Sequence, residues 1–538
     1  MGASSSTSHN VSDEQREVES LAASTGSLSM LQNAFSKLHH PQTNLLPLRT
    51  LQQCFNLNYK NPTSDVSFVV NSIWSLLDHV GVSIVDLFSV PEKGELSWVE
   101  FVKGYVKCCG RMPTSMVLNT LLRVFCAAGR RAGLTLKLEF ESDDADCKVD
   151  GYLLPVDVLM IFLMSWTLLW DSRTRIVSEE KADLWLPEVN HLVLSAVMSC
   201  AEVGSDFNVW DCSVVDLEVQ LPAGKFLQWA FAMVPSLTEC FTKFVNARLQ
   251  NCVALENVLG PSTSSLGDIS STKVHNNYLL SRGRAFSISL TYRTVCEEVL
   301  KLCCPFGSDE TDESLVYKSS LHGKGLNRFW SKVEGYHGPL LILVSAVSKN
   351  DHGGDASARK WIIGALTDQG FENRDAFYGS AGNLYSISPV FHAFLPSGKE
   401  KNFVYSHLHP TGKVYESHPK PVGIAFGGTI GNERIFIDED FAKVTVHHHA
   451  VDKTYRPGSL IPCQGFLPVE VPILEVEVWG LGGSSAKQSQ ISYKKREELF
   501  TEQRRKVDLK TFANWEDSPE KMMMDMVSDP NAVRREDR

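Results

Sequence analysis

From Leu279 to Gly483 the chain is written in short alternating apolar runs, closed by turns containing glycine. They are Ala285–Leu290, Pro339–Val347, Trp361–Leu366, Asn383–Ser388, Phe403–His407, Val422–Phe426, Arg434–Ile437 and Leu474–Trp479. Alternation over a few residues, bounded by Gly, Pro, Asn and Asp, predicts half-buried antiparallel strands. No strand–helix–strand rhythm with long crossovers runs through them, which argues against a parallel nucleotide-binding sheet. The helix expected in this block is Thr291–Cys303, just after the first strand.

Ahead of it, from 28 to 250, helical spacing dominates. Val69, Ile73, Leu76, Leu77 and Val80 share one face; Met116, Leu118, Leu121, Leu122 and Phe125 share another. Leu192–Met198 and Phe226–Val234 read the same way. The strongest apolar run, Val158–Trp170, has only Ser165 and Thr167 as polar members. It is shorter than the roughly 20 residues a membrane-spanning helix needs, and Pro155, Asp157 and Asp171 bound it, so it reads as a helix buried in the helical half. Residues 1–27, rich in Ser and Thr, read as a mobile tail, 251–276 as a linker, 277–483 as the β-rich domain and 484–538 as a charged helical tail. No internal repeat is visible.

The chain of 538 residues is 43% hydrophobic and 21% charged, which places it among globular, multidomain proteins. Its net charge of −11, spread along the length, argues against nucleic acid as the main partner. The 13 cysteines include no CxxC pair, and most lie in apolar runs. That suggests reduced, buried thiols in a cytosolic protein rather than a disulfide scaffold. No apolar secretory segment opens the chain.

Two helical-half segments carry EF-hand spacing. In the first, Gly94, Leu96 and Glu100 take positions 6, 8 and 12, but Ser89, Pro91 and Lys93 fall where calcium needs oxygen ligands. In the second, Asp146, Lys148, Asp150 and Asp157 take positions 1, 3, 5 and 12. Asp146, Asp150 and Asp157 are therefore the weak calcium candidates, weakened further by Lys148 and by an Asp where the longer Glu usually closes the site. A metal-free, EF-hand-like scaffold is the favoured reading. His447–His449 cannot all face one side of a strand; His447 and His449 share a face. There is no GxSxG, HExxH or Walker loop. The cluster Gly427–Gly431 lies between two strands, where a hairpin explains it better than a phosphate cradle. No catalytic residue and no cofactor is implied.

In the tail, Ser492–Lys510 has helix-forming composition. Tyr493, Phe500 and Val507 recur every seven residues with Leu499 beside them, and Lys494–Arg496 and Arg504–Lys506 are basic clusters. So narrow a stripe suits docking onto a partner. Tyr493, Phe500, Val507, Arg504, Arg505 and Lys506 are the expected partner-binding residues. At the other end, Met1-Gly2-Ala3-Ser4-Ser5-Ser6 fits N-myristoylation of Gly2. One such chain binds membranes marginally and reversibly. With the first Arg at 16, the first Lys at 37 and the first Cys at 54, a membrane-bound partner would have to add affinity.

The segments FYGSAGNLYSISP (Phe377–Pro389), VGIAFGGTIGNERIFIDEDF (Val422–Phe441) and ILEVEVWGLGG (Ile473–Gly483), preceded by SRGRAFSISLTYR, GPLLILV and WIIGALTDQGF, resemble the TLDc domain family in order and spacing. The resemblance implies an antiparallel β-sandwich with a few flanking helices. Together with the Gly2 start and the EF-hand-like half, the chain looks like the EAK-type, lysosomal mTOR-associated branch. That implies a non-enzymatic regulator meeting the vacuolar-type proton ATPase (V-ATPase) at lysosomal or vacuolar membranes, cytoplasmic and peripheral, with a role in stress or nutrient signalling. The rival reading is an oxidation-resistance enzyme acting on peroxides through an unrecognised site, which would require a reactive thiolate or a metal.

Overall fold

The computed structural model describes residues 12–60, 68–89, 93–174, 182–204, 207–254, 278–293, 296–303, 314–348, 359–408 and 419–513, with 521, 523, 524 and 527 besides. The linker expected at 251–276 falls outside them except for 251–254.

Helices α1 (Asp13–Ser24), α2 (Leu28–Leu38), α3 (Leu48–Phe55), α4 (Phe68–Val85), α5 (Trp98–Cys109), α6 (Thr114–Arg131), α7 (Pro155–Arg173), α8 (Asn190–Cys200), α9 (Ala223–Met233) and α10 (Leu237–Ala254) form the amino-terminal half. Over residues 13–24, α1 corrects the reading of 1–27 as a mobile tail. Ser12 caps it by accepting from the Gln15 N–H, Asp13 and Glu14 favour its N-terminus, and Val18 and Ala22 are buried. The run Val158–Trp170 is the centre of α7, which is buried almost throughout.

Short strands tie these helices in pairs: β1 (Leu46–Pro47), β2 (Tyr59–Lys60), β3 (Glu95–Leu96), β4 (Lys137–Phe140), β5 (Val149–Leu153), β6 (Ala182–Asp183) and β7 (Leu221–Pro222). Leu46 faces Leu96 across β1–β3, and Leu153 faces Leu221 across β5–β7. Each of these leucines is at most 1% exposed and stands two residues before a helix start. The same strand-into-helix unit thus recurs four times in two bridged pairs, an internal repeat of which the EF-hand spacing marks two members.

The segment Ala285–Leu290 is not a strand. It belongs to α11 (Arg282–Leu290), followed by α12 (Glu297–Cys303). From Ala285 to Leu290 every residue is buried, so no polar face betrays the helical period and the local alternation misleads. α11 docks on the helical half. Phe286 meets Trp166 edge-on at 5.4 Å, Ser287 Oγ lies 2.8 Å from His191 Nε2, and Gly283 passes so close to the Glu188 carbonyl that a Cβ there would sit 1.7 Å from it.

Beyond it come β8 (Leu315–Lys318), β9 (Leu340–Ser348), β10 (Arg359–Thr367), β11 (Arg374–Tyr378), β12 (Gly382–Ser388), β13 (His392–Phe394), β14 (Val404–His407), β15 (Gly423–Thr429), β16 (Asn432–Asp438), β17 (Lys443–Val446) and β18 (Val469–Gly480). All described pairings among them are antiparallel. The expected sandwich of separate sheets is instead one continuous curled sheet, a half-barrel, in the order β11-β14-β15-β16-β17-β18-β9-β10-β12-β13, with β8 also on β18. The long β18 joins its two parts. Val469–Pro472 pair with β17, Ile473–Gly480 pair with β9, and a register break between Ile473 and Glu475 falls at the change of partner.

Alternate residues of β9 serve two cores. Leu340, Ile342, Val344 and Ala346 face the inside of the curl, where Ile424, Phe426, Ile435 and Ile437 meet them. Leu341 and Leu343 face the other way, into a core continuous with α4, α7, α8, α10 and α11. A strand buried on both faces needs an unbroken apolar run, which is what GPLLILV supplies.

Candidate functional site

The last helix, Gly483–Ala513, starts nine residues before the expected Ser492. Its first turns are fastened to the sheet domain. The Gly482 N–H donates to Tyr336 Oη at 2.7 Å, and a Cβ on Gly480 would lie 2.6 Å from that oxygen. Gln490 Nε2 donates to the carbonyls of Lys332 (2.7 Å) and Glu334 (3.1 Å), and Lys494 Nζ reaches the Lys332 carbonyl at 3.2 Å. These carbonyls lie at the end of helix Leu326–Val333, so the two side chains satisfy acceptors that the short helix leaves open. Burial lowers the Lys494 pKa, with Lys332 adding to the effect. Tyr493 Oη donates to Glu334 Oε1 at 3.1 Å, and the Tyr493 ring covers Gly335. This corrects the expected docking stripe: Tyr493 is engaged with its own domain.

After Lys494 the character changes. Every residue from Lys495 to Lys506 is exposed, Leu499 by 51% and Phe500 by 62%. Arg504, Arg505 and Lys506 lie on this stretch, with Lys506 paired to Glu502 at 2.8 Å. Val507 continues the helix, but its side chain is outside the described residues. At 1.5 Å per residue, the helix runs about 28 Å over 495–513, beyond the bonds that Gln490, Tyr493 and Lys494 make to the domain. A charged helix without a covered face is marginal in water. This one grows from an anchored base and holds two adjacent large apolar side chains in solvent.

The calcium candidates are not brought together. Asp150 is exposed and pairs with Lys148 at 2.7 Å, Asp146 is exposed, and Asp157 is buried at the start of α7. The Leu154 N–H donates to Asp157 Oδ2 at 2.9 Å, and burial lifts this carboxyl to about 6. The neighbouring 141–148 turn already has an internal cation. Arg123 of α6 donates to the Ser142 and Asp144 carbonyls, the latter at 3.0 Å, while Asn119 donates to those of Ala145 (3.0 Å) and Cys147 (2.9 Å). In the first loop Glu100 likewise caps a helix: it accepts from the Ser97 N–H at 2.9 Å and from Lys93 Nζ at 2.6 Å. The bond from Lys93, then that from Ser97, lower its pKa to about 2. Among the described residues no three His, Cys, Asp or Glu side chains are placed to hold a metal.

The histidines lie past the end of β17 at Val446. His449 bridges to Gly458 and its Nδ1 stands 3.7 Å from Asp452, while His448 stacks on Phe466. Asp452 chiefly serves Arg434, a fully buried guanidinium that donates to it at 2.9 Å and to the Arg456 and Gly458 carbonyls. Gly2 lies outside the described residues.

Residues 290–482 match the family model described as the TLDc domain. The chain carries a TLDc domain. The match begins at the last residue of α11 and ends at Gly482, immediately before the projecting helix. The half-barrel is therefore the body of the TLDc domain, while most of α11 and the last helix flank the matched segment. No curated protein matches the chain.

Proposed function

We propose that this TLDc protein is a non-enzymatic adaptor that binds the V-ATPase at lysosomal or vacuolar membranes, using the helix that leaves its TLDc domain. The observation carrying the reading is the exposed stretch Lys495–Lys506, with Leu499 and Phe500 in solvent on an anchored base. Such a helix gains stability by laying its apolar side chains in a partner's groove while Arg504, Arg505 and Lys506 meet acidic surface. The reading extends to an EAK-type protein with a role in stress or nutrient signalling. On this reading its helical half is an EF-hand-like scaffold; Glu100 and Asp157, at position 12 of the two loops, each cap a helix. Myristoylation of Gly2 would add a weak membrane contact to the protein contact.

Affinity purification of the full chain and of a chain ending at Lys494 tests this. Pump subunits are expected with the first and not with the second. Equal recovery from both, or no pump subunits with either, refutes the reading.

A further inference from the structure

We propose that Cys54 and Cys252 form a peroxide-oxidisable dithiol, a modification site joining α3 to the end of α10. The two residues are 198 positions apart, yet their sulfurs lie 2.8 Å from each other. A disulfide bond is about 2.05 Å long, so closure needs the sulfurs to approach by less than about 1 Å. Both side chains are partly exposed, which leaves a small oxidant a way in.

The surroundings distinguish the two thiols. Arg248 stands one turn before Cys252 on α10, and its carbonyl accepts from Cys54 Sγ at 3.6 Å. Its guanidinium is fixed by Asp171 of α7, which also accepts from Tyr59 Oη at 3.1 Å. The contact with Cys54 and the nearby guanidinium shift Cys252 toward thiolate despite its burial, while the same contact and burial raise Cys54. Cys252 is therefore the attacking sulfur and Cys54 the resolving one.

The chemistry balances with a peroxide as oxidant. The Cys252 thiolate attacks one peroxide oxygen and the O–O bond breaks. A sulfenic acid remains on sulfur, and the departing oxygen leaves as water with the thiol's proton. Cys54 sulfur then attacks the sulfenic sulfur, the S–O bond breaks, and a second water carries away the Cys54 proton. Two thiols lose two electrons and two hydrogens, and hydrogen peroxide becomes two waters. This is a stoichiometric event on the helical half and does not depend on the pump-binding reading.

The test uses the full chain, reduced, freed of reductant and titrated with hydrogen peroxide. Remaining thiols are alkylated and the protein is mapped by mass spectrometry without reduction. A peptide pair joining Cys54 to Cys252 is expected, at lower peroxide than oxidation of the exposed Cys463, and dithiothreitol should release it. In Cys54→Ser, Cys252 should persist as a sulfenic acid trapped by dimedone. If wild-type Cys54 and Cys252 both remain alkylatable while Cys463 oxidises, the proposal falls. It falls equally if either one pairs with a different cysteine. Both failures are read on the wild-type chain, so they do not depend on how a variant folds.

Discussion

Asp171 of α7 grips Arg248 of α10 through both carboxylate oxygens, Nε to Oδ2 at 2.7 Å and Nη2 to Oδ1 at 2.5 Å. The Asp171 side chain is 6% exposed. Burial raises its pKa, against the pull of Arg248. Removing one partner of such a pair leaves a buried charge, which typically costs about 3–5 kcal/mol. Arg248→Ala is expected to destabilise by that order in denaturant unfolding. Arg248→Met combined with Asp171→Leu should recover most of the loss. A single variant as stable as wild type would show that the pair is not desolvated.

Asp157 gives a pH signature of known sign. Burial lifts it to about 6, so the native carboxyl holds its proton more tightly than the unfolded one. Its contribution therefore opposes folding above that pH and is relieved as pH falls from about 6 toward the unfolded value near 4. Asp157→Asn keeps an acceptor for the Leu154 N–H and removes the charge. It should stabilise at pH 7 by on the order of 2–3 kcal/mol and flatten the stability–pH curve over that window. An unchanged slope would assign the titration elsewhere.

Trp479 is 1% exposed, meets Tyr278 edge-on at 5.3 Å and donates to Glu477 at 3.1 Å. Glu477 itself is buried against Lys318, Nζ to Oε1 at 3.1 Å. The indole faces the core shared with the helical half rather than the inside of the curl. Trp479→Ala should cost about 3–5 kcal/mol through the cavity it leaves. Because that core is shared, thermal unfolding of the helical half and of the sheet should shift together. A midpoint that stays put would mean β18 does not pack as described.

Calcium should leave the melting temperature of the full chain unchanged. A ligand at 100 times its dissociation constant adds about 2.7 kcal/mol, which a melting curve resolves. An upward shift abolished by Asp146→Ala with Asp150→Ala would overturn the metal-free assignment.

Legibility in the sequence followed run length and turn punctuation. Strands such as β10 and β12 stand out because glycine turns bound them, and α7 because its apolar run is long. Ala285–Leu290 fails because a helix buried all round has no period to read. Residues 13–24 were hidden by Ser-rich surroundings, although Ser12-Asp13-Glu14 is a cap signal. The four bridging leucines are spaced unevenly, at 46, 96, 153 and 221; EF-hand spacing marks Leu96, but the pairing with Leu46 and that of Leu153 with Leu221 show only in the strands. In the tail a seven-residue spacing groups Tyr493 with Phe500, but Tyr493 falls where the helix still rests on Glu334 and Phe500 where it has left the domain. The proximity of Cys54 to Cys252 depends on how α3 meets α10 and has no local signature.

That division of the tail decides where to cut it. Truncation at 490 would remove Gln490, Tyr493 and Lys494, which bond the carbonyls of Lys332 and Glu334 and the Glu334 carboxylate. Each lost bond is worth on the order of 1 kcal/mol, so the TLDc domain itself should weaken. Ending the chain at Lys494 keeps those bonds and removes the exposed side chains of 495–506. Its melting temperature should match the full chain, while association with the proposed pump partner should be lost. Leu499→Ala with Phe500→Ala should weaken association at any ionic strength. Charge reversal at Arg504, Arg505 and Lys506 should weaken it most at low salt, since exposed charges are screened within about 10 Å at 0.1 M. If the chain ending at Lys494 binds as tightly as the full chain, the projecting helix is a passive extension and the contact belongs to the half-barrel.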